Sequence, residues 1–385
     1  MNAPDALSVL LVGDYPEDPT LGSPKVLFKL QAEYRALGHR CEIVFDREIG
    51  GSRIRHVRQV MAPWNAGQAI VRRLERETYD VVDAASAEGL WLGVRKKLGA
   101  YPRTLYVCRS NGLEHLNYRR MLDDHDAGLL PKPWTRRIWY PVSRLTQVAA
   151  AARLADCLVL LNEVDREFAL DHGWAPPDRI DVVPHGVSKE FLDDDPGARA
   201  RRGAGLLFCG SWDQIKGIAY LVAAFEKLHE GGDDMRLTIL GPGMPETAVL
   251  RAFPEKLRPF VTVVPRAPEG RVIEMYRSHD LLIWPSTYEG FGLVLLEAMS
   301  QRLPVIATPV GCARSIVRDG QTGLSVPSRD PDAIAAAARR LIADEGLRAR
   351  IGEAARQAVV GMTWRATALR TLELYRRARE ERRAA

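Results

Sequence analysis

Residues 281–297 read LLIWPSTYEGFGLVLLE, and their order carries the fold. Leu281 to Trp284 are continuously apolar rather than alternating, the pattern of a strand buried on both faces. Pro285 and Ser286 end that run, Gly290 and Gly292 make a turn, and an apolar helix begins near Gly292. The same rhythm occurs at 208–217, FCGSWDQIKG, again a strand, a glycine turn and a helix start.

Working outward, short β-branched runs recur along the whole chain. In the first half they fall at 8–13, 41–45, 79–83, 104–108, 157–161 and 180–183. In the second they fall at 205–209, 236–240, 261–264, 281–284, 304–307 and 323–326. Amphipathic stretches separate them: Tyr220, Leu221, Ala224, Phe225 and Leu228 share one helical face, as do Trp364, Ala368, Leu372 and Tyr375. Asp330-Pro331 is a helix start, with an N-cap carboxylate and a proline in the first turn. Six strands per half, each followed by a helix, predict an α/β protein of two doubly wound Rossmann-like domains. Ligands of such sheets bind beyond the carboxyl ends of the strands, so two domains imply one cleft with two walls.

Composition narrows the function. The chain has 385 residues, 46% hydrophobic and 27% charged, with a net charge of +5. This excludes a disordered or collagen-like chain and is too mild for a dedicated nucleic-acid binder. Nine lysines stand against forty-five arginines, so arginine is background and a lysine beside a glycine is informative. Five cysteines without CxxC spacing argue against a disulfide framework or thiolate metal site, and for buried thiols. The opening MNAPDALSVLLVGDYP has no basic n-region, and no apolar run reaches about 18 residues. A cytoplasmic protein is expected.

The chemistry concentrates in the two strand–turn–helix segments. Gly290 and Gly292 allow close backbone approach, and the N–H groups of Phe291, Gly292 and Leu293 with the helix dipole suit a phosphate. Glu289 and Glu297 flank that cradle, and carboxylates beside a phosphate make sense when they accept hydrogen bonds from sugar hydroxyls. Lys216, after Gly210 and Ser211, supplies a point charge for a diphosphate. Together these features describe a nucleotide-sugar site.

The motif PSTYEGFGLVLLEAM, followed by PVIATPVGCARSIV and DGQTGLSVPSRD, resembles the family 4 glycosyltransferases, retaining enzymes of the GT-B fold. The resemblance is specific over 205–330 and weaker in the first half, in GHRCEIVF and DRIDVVPHGVSKEF. It implies transfer of a sugar from a UDP- or GDP-sugar to an acceptor hydroxyl, with no cofactor beyond that donor and no metal. It implies a setting in bacterial surface glycan or glycolipid synthesis. Glu297 is expected to hold the ribose, Glu289 the transferred sugar, Gly290 to Leu293 the sugar and diphosphate, Lys216 the leaving group, and Arg266 the nucleobase.

Three positions depart from the family pattern. Ser211 replaces an arginine that partners the lysine. Leu21-Gly22-Ser23 replaces a double-glycine phosphate loop, leaving Gly22 for backbone approach. Asn111, in CRSNGLEH, replaces a histidine and can bind a sugar but not act as a base. A front-face mechanism, in which the leaving phosphate takes the acceptor proton, requires no protein base. A nucleotide-sugar-binding protein with little transfer activity is the alternative these departures raise.

The resemblance and composition divide the chain into 1–188 (acceptor side), a linker at 189–203, 204–362 (donor side) and 363–385, a helix crossing back to the first domain. His185 reads as a turn residue, and Asp123-Asp124 and Asp193 to Asp195 as solvated loops. Residues 131–144, with Trp134, Arg136, Arg137, Trp139, Tyr140 and Arg144, mix cations with interfacial aromatics, which suits contact with a lipid surface at the inner face of the membrane, a phosphorylated or acidic glycan acceptor, or packing of the aromatics on the first domain. Pro131, Pro133 and Pro141 break a long amphipathic helix there.

Overall fold

The computed structural model describes residues 6–52, 54–128, 134–193, 203 and 205–384. Two compact units emerge: Met1–His185 with Trp364–Ala385, and Gly186–Thr363.

The first unit is built on β1 (Ser8–Val12), β2 (Arg40–Val44), β3 (Val81–Ala85), β4 (Leu105–Arg109), β5 (Cys157–Leu160) and β6 (Ile180–Val182). They form one parallel sheet in the order β2-β1-β3-β4-β5-β6. The second unit holds β7 (Leu206–Cys209), β8 (Leu237–Leu240), β9 (Val261–Val264), β10 (Leu281–Trp284), β11 (Val305–Ala307) and β12 (Leu324–Ser325). Its order is β12-β11-β10-β7-β8-β9, also parallel. The apolar runs are continuous because helices cover both faces: every residue of β3, β4, β5, β8 and β10 is buried. Parallel strands need helical crossovers, so all strand-end loops of a sheet leave from one edge. The chain reverses direction across the sheet between β1 and β3, and between β7 and β10. These are the switch points where such sheets bind ligands.

The helix Trp364–Ala384 belongs to the first unit. Its apolar face buries Trp364, Ala368, Leu372 and Tyr375. The Tyr375 hydroxyl donates to Asp83 on β3, and Arg109 on β4 reaches the same carboxylate at 2.5 Å. Tyr34 meets Tyr375 edge-on at 6.2 Å. Asp83 and Arg109 are each 1% exposed, so this is an ion pair in the core. Thr367 Oγ1 donates to the Pro184 carbonyl at 2.9 Å, and His185 packs on Trp364 with ring centroids 5.4 Å apart. His185, read as a turn residue, is therefore a buried packing residue. Burial and then Arg109 push its pKa down to about 3, so it is neutral throughout the physiological range.

Two loop expectations are corrected. The stretch read as a solvated linker begins with a helical turn, Lys189–Leu192, inserted into the second unit. Phe191 is fully buried; its carbonyl accepts from Ser300 Oγ at 3.1 Å, and Leu192 O accepts from Arg356 at 2.7 Å. Residues 194–202 and 204, including Asp194 and Asp195, lie outside the described residues. Asp123 and Asp124 lie on the helix Glu114–Asp126 rather than a loop, and Asp124 is buried against Arg120 at 2.6 Å. Four of the cysteines are buried, and burial pushes their thiols up, consistent with a packing role.

Removing one partner of a buried pair leaves an uncompensated charge. Arg109→Met is expected to lower the unfolding free energy by about 3–5 kcal/mol, whereas Arg109→Met with Asp83→Leu loses markedly less. Urea denaturation of both variants checks this; equal losses would count against the pair as the cause.

Candidate functional site

In the second unit β7 and β10 lie side by side, so the loops that leave them are neighbours. Gly217 has φ 71°, and a Cβ there would overlap the Pro285 carbonyl oxygen. Only glycine lets the two backbones approach this closely. Thr287 then closes the junction, its N–H and Oγ1 donating to Ile215 O at 2.8 and 3.2 Å. The consequence is chemical: Lys216 Nζ lies 2.6 Å from Glu289 Oε1, which also accepts from Ser286 Oγ at 2.9 Å. The Lys216 and Glu289 side chains are 25% and 11% exposed, so the pair lies at the rim of the sheet edge.

The turn between β10 and the helix Leu293–Ser300 is shaped by two further glycines. Gly292, the N-cap, has φ 106°, and a Cβ there would come within 2.7 Å of the Trp284 ring. Gly311, at φ 51°, packs on the Phe291 carbonyl, which accepts from Cys312 N at 2.7 Å. The Phe291 side chain is buried, so this residue holds the turn by packing. Leu295 N–H already donates to Gly292 O at 3.0 Å, so the N–H groups of Leu293 and Val294 are those the helix start leaves without an intrahelical acceptor, and the dipole there favours an anion.

Glu297 lies on the same helix and is buried, not a surface residue. The Tyr276 hydroxyl reaches its Oε2 at 3.4 Å and Cys209 Sγ at 3.5 Å. Ser286 and Thr287 belong to the PSTYEGFG motif, but their contacts, like the place of Tyr276, become visible only once β7, β10 and the helix Glu269–Ser278 are packed together. Arg266, after β9, is exposed and lies over the glycine turn that follows β8, its Nη2 2.8 Å from where a Gly243 Cβ would be. Pro242 O in that turn accepts from Trp212 N at 2.9 Å, and Gly210 and Ser211 precede Trp212. In the second unit, the expected residues thus lie on the loops that leave one sheet edge and on the helix Leu293–Ser300 that follows one of them.

In the first unit, Gly22 opens the helix Gly22–Ala36 with open space where a Cβ would be. Asn111, just past β4, donates through Nδ2 to the hydroxyl of the half-buried Tyr15 at 2.8 Å. Burial raises the Tyr15 phenol's pKa, keeping it protonated. His115 is half-buried and packs on Trp174 with ring centroids 4.9 Å apart, and desolvation lowers its pKa to about 4. Arg144, expected on a lipid-facing patch, is instead held inside: its Nη2 is 3.0 Å from Glu114, 3.4 Å from Glu88 and 3.3 Å from Ser86 Oγ. Tyr15, Ser86, Glu88 and Glu114 carry no sequence signal of their own, because they meet only at the strand ends. Among the described residues no group of three or more His, Cys, Asp or Glu could hold a metal ion, and no helix is long and apolar enough to cross a membrane.

Residues 197–358 match the family model described as glycosyl transferases group 1. The chain is also 32% identical over 335 residues to the D-inositol 3-phosphate glycosyltransferase of Corynebacterium glutamicum, covering 82% of this chain and 76% of that protein. The chain belongs to the family 4 glycosyltransferases. The D-inositol 3-phosphate glycosyltransferase of Acidothermus cellulolyticus is 37% identical over 265 residues, 64% of this chain. That match spans 58% of the relative, so the chain covers about three-fifths of the length of the first curated relatives. Among solved structures, sucrose-phosphate synthase from Thermosynechococcus elongatus superposes with a TM-score of 0.79 at 21% identity, over 96% of this chain and 98% of that one. The two parallel six-stranded sheets and this likeness make the fold GT-B.

The junction between the loops after β7 and β10 depends on Gly217. Gly217→Ala is expected to separate Ile215 from Thr287, lowering the melting temperature and abolishing stabilisation by nucleoside diphosphates. Differential scanning fluorimetry with and without UDP or GDP checks both effects.

Proposed function

We propose that this family 4 glycosyltransferase transfers a sugar from a UDP- or GDP-sugar to an acceptor hydroxyl, with retention and without a metal. The observation that carries the reading is the Lys216–Glu289 pair, 2.6 Å apart beside a helix start capped by Gly292. A diphosphate requires cationic and N–H donors; a sugar requires carboxylate acceptors. Here one ammonium, one carboxylate and one helix N-terminus converge at a topological switch point. The curated relatives named above act, by name, on a phosphorylated cyclitol, which favours a cyclitol or sugar hydroxyl as acceptor. The setting we infer is surface glycan or glycolipid synthesis.

In the reaction we propose, the helix start and Lys216 hold the diphosphate while the bond from the anomeric carbon to its oxygen breaks. The leaving oxygen takes the acceptor proton as the acceptor oxygen bonds to the anomeric carbon on the same face. Lys216 stabilises the negative charge that develops on the leaving group, where a fixed cation acts most strongly. Glu289 fixes the ammonium and accepts from the sugar's hydroxyls; Glu297, oriented by Tyr276, accepts from the ribose. Arg266 contacts the base. Asn111, bound to Tyr15, offers its remaining amide capacity to a sugar hydroxyl and acts as no base.

Lys216→Ala is expected to lower kcat/KM about 10²–10³-fold, the loss found when one donor to a developing negative charge is removed. Glu297→Gln should weaken donor binding roughly tenfold or more, with a smaller effect on kcat. EDTA should leave the rate unchanged. Thermal shifts with a panel of nucleotide-sugars, then hydrolysis and transfer assays on the hits, test the reading. A donor that binds but is neither hydrolysed nor transferred would favour a binding protein without transfer activity.

A further inference from the structure

The carboxyl edge of the first sheet gathers polar side chains from the segments that follow β1, β3 and β4. In the β3–β4 pair Ala85 lies opposite Arg109, so the turns that leave the two strands are adjacent. Ser86 and Glu88 come from the first turn, Asn111 from the second, and Glu114 opens the helix that follows it. Arg144, in the turn Pro141–Leu145, reaches Ser86 Oγ, Glu88 and Glu114 with one nitrogen, and Ser86 Oγ also donates to Glu114. Tyr15, in the loop after β1, joins the set through Asn111. Burial first, then the charge of Glu88 and more weakly that of Glu114, raise the Tyr15 phenol, so both carboxylates are felt at the Asn111–Tyr15 pair.

Two atoms of this set lack a partner among the described residues, and both are hydrogen-bond acceptors. Glu88 is 5% exposed, and its Oε2 is buried without a donor; Asn111 Oδ1 is buried without one too. An oxygen buried without a donor is costly, and native structures keep few such atoms without a use. A group bearing O–H or N–H bonds satisfies them. A phosphate monoester does not: near neutral pH it brings mainly acceptor oxygens and almost two negative charges.

The balance of charge points the same way. Glu88 and Glu114, with side chains 7% and 20% exposed, face the guanidinium of Arg144, 14% exposed. Asp14, next to Tyr15 in the chain, is held by Arg58 at 2.7 Å. Three carboxylates thus stand against two guanidiniums, and Arg144 is already committed where an anion would need it. Burial raises the Glu88 carboxyl while Arg144 pulls it down, so a donor brought to Oε2 favours its ionised form.

We infer that this edge sets acceptor specificity, with Glu88 and Glu114 favouring an unphosphorylated, hydroxyl-rich acceptor over a phosphorylated one, and Glu88 Oε2 and Asn111 Oδ1 taking its hydrogen bonds. The inference rests on the transfer reaction proposed above. It separates this chain from the curated relatives, whose name carries D-inositol 3-phosphate.

The test is a ligand-observed NMR titration of the full chain with two matched pairs, myo-inositol against D-inositol 3-phosphate and glucose against glucose 6-phosphate. The unphosphorylated member of each pair is expected to bind at least about tenfold more tightly, the scale set by placing like charges together. Glu114→Gln, at the more exposed of the two carboxylates, should narrow that gap at an unchanged melting temperature, and Glu88→Gln with Glu114→Gln should narrow it further. Raising the salt should narrow it in the parent, because screening weakens repulsion, which tests the charge term without any variant. Equal or tighter binding of a phosphorylated member, no binding of either neutral compound, or a gap that neither salt nor Glu114→Gln narrows overturns the inference. Absence of thermal shifts with UDP and GDP while the neutral compounds still bind would instead count against the donor-site reading and leave the acceptor preference standing.

Discussion

Strands β7 and β10 are more than seventy residues apart in the chain and adjacent in the sheet, and this pairing organises the strand-end loops of the second unit. Parallel strands in register must send their loops out from the same edge, so the Gly210–Gly217 and Pro285–Gly292 turns have no alternative but to meet. Gly217 permits the contact sterically, Thr287 closes it by hydrogen bonding, and the Lys216–Glu289 ion pair is the result. The neighbouring turns after β8 and β9 follow from the same constraint, which brings Arg266 to the edge where Ser211 lacks a cation.

The first unit depends on a different kind of interaction. Asp83, Arg109 and Tyr375 place a hydrogen-bonded ion pair in a core that is otherwise apolar, and the C-terminal helix supplies one of the three. Such pairs add little net stability compared with apolar packing, but a wrong register of the helix would leave a charge buried alone. The helix is thereby held in one position along the sheet. Its other contacts reinforce the arrangement at the opposite edge, where Arg379 meets Asp80 at 2.6 Å and Arg382 meets Asp156 at 3.1 Å.

Much of the fold was legible because burial on both faces imposes a simple pattern: all twelve apolar runs became strands. The candidate donor residues were legible because glycines and charged residues beside strand ends are unusual enough to stand out. What misled was local polarity. The sequence 188–203 looks solvated throughout, yet Phe191 anchors its first turn in the core, because one large apolar side chain outweighs several flexible charges. Arg144 looked like part of a basic, aromatic surface, yet Glu88, in the turn after β3, and Glu114, at the start of a helix, hold it as an ion pair.

The amino-acid sequence by itself determined two doubly wound domains, the strand ends that carry the chemistry, and a chain in which lysine beside glycine is rare. Periodicity and backbone permissiveness are local properties, so they can be read from neighbours in sequence. Only the tertiary structure decided that Lys216 pairs with Glu289, that Tyr276 reaches Glu297 and that Arg144 pairs with Glu88 and Glu114. Each of those depends on which side chains lie within a few ångströms across the sheet, and sheet order rather than chain order sets that.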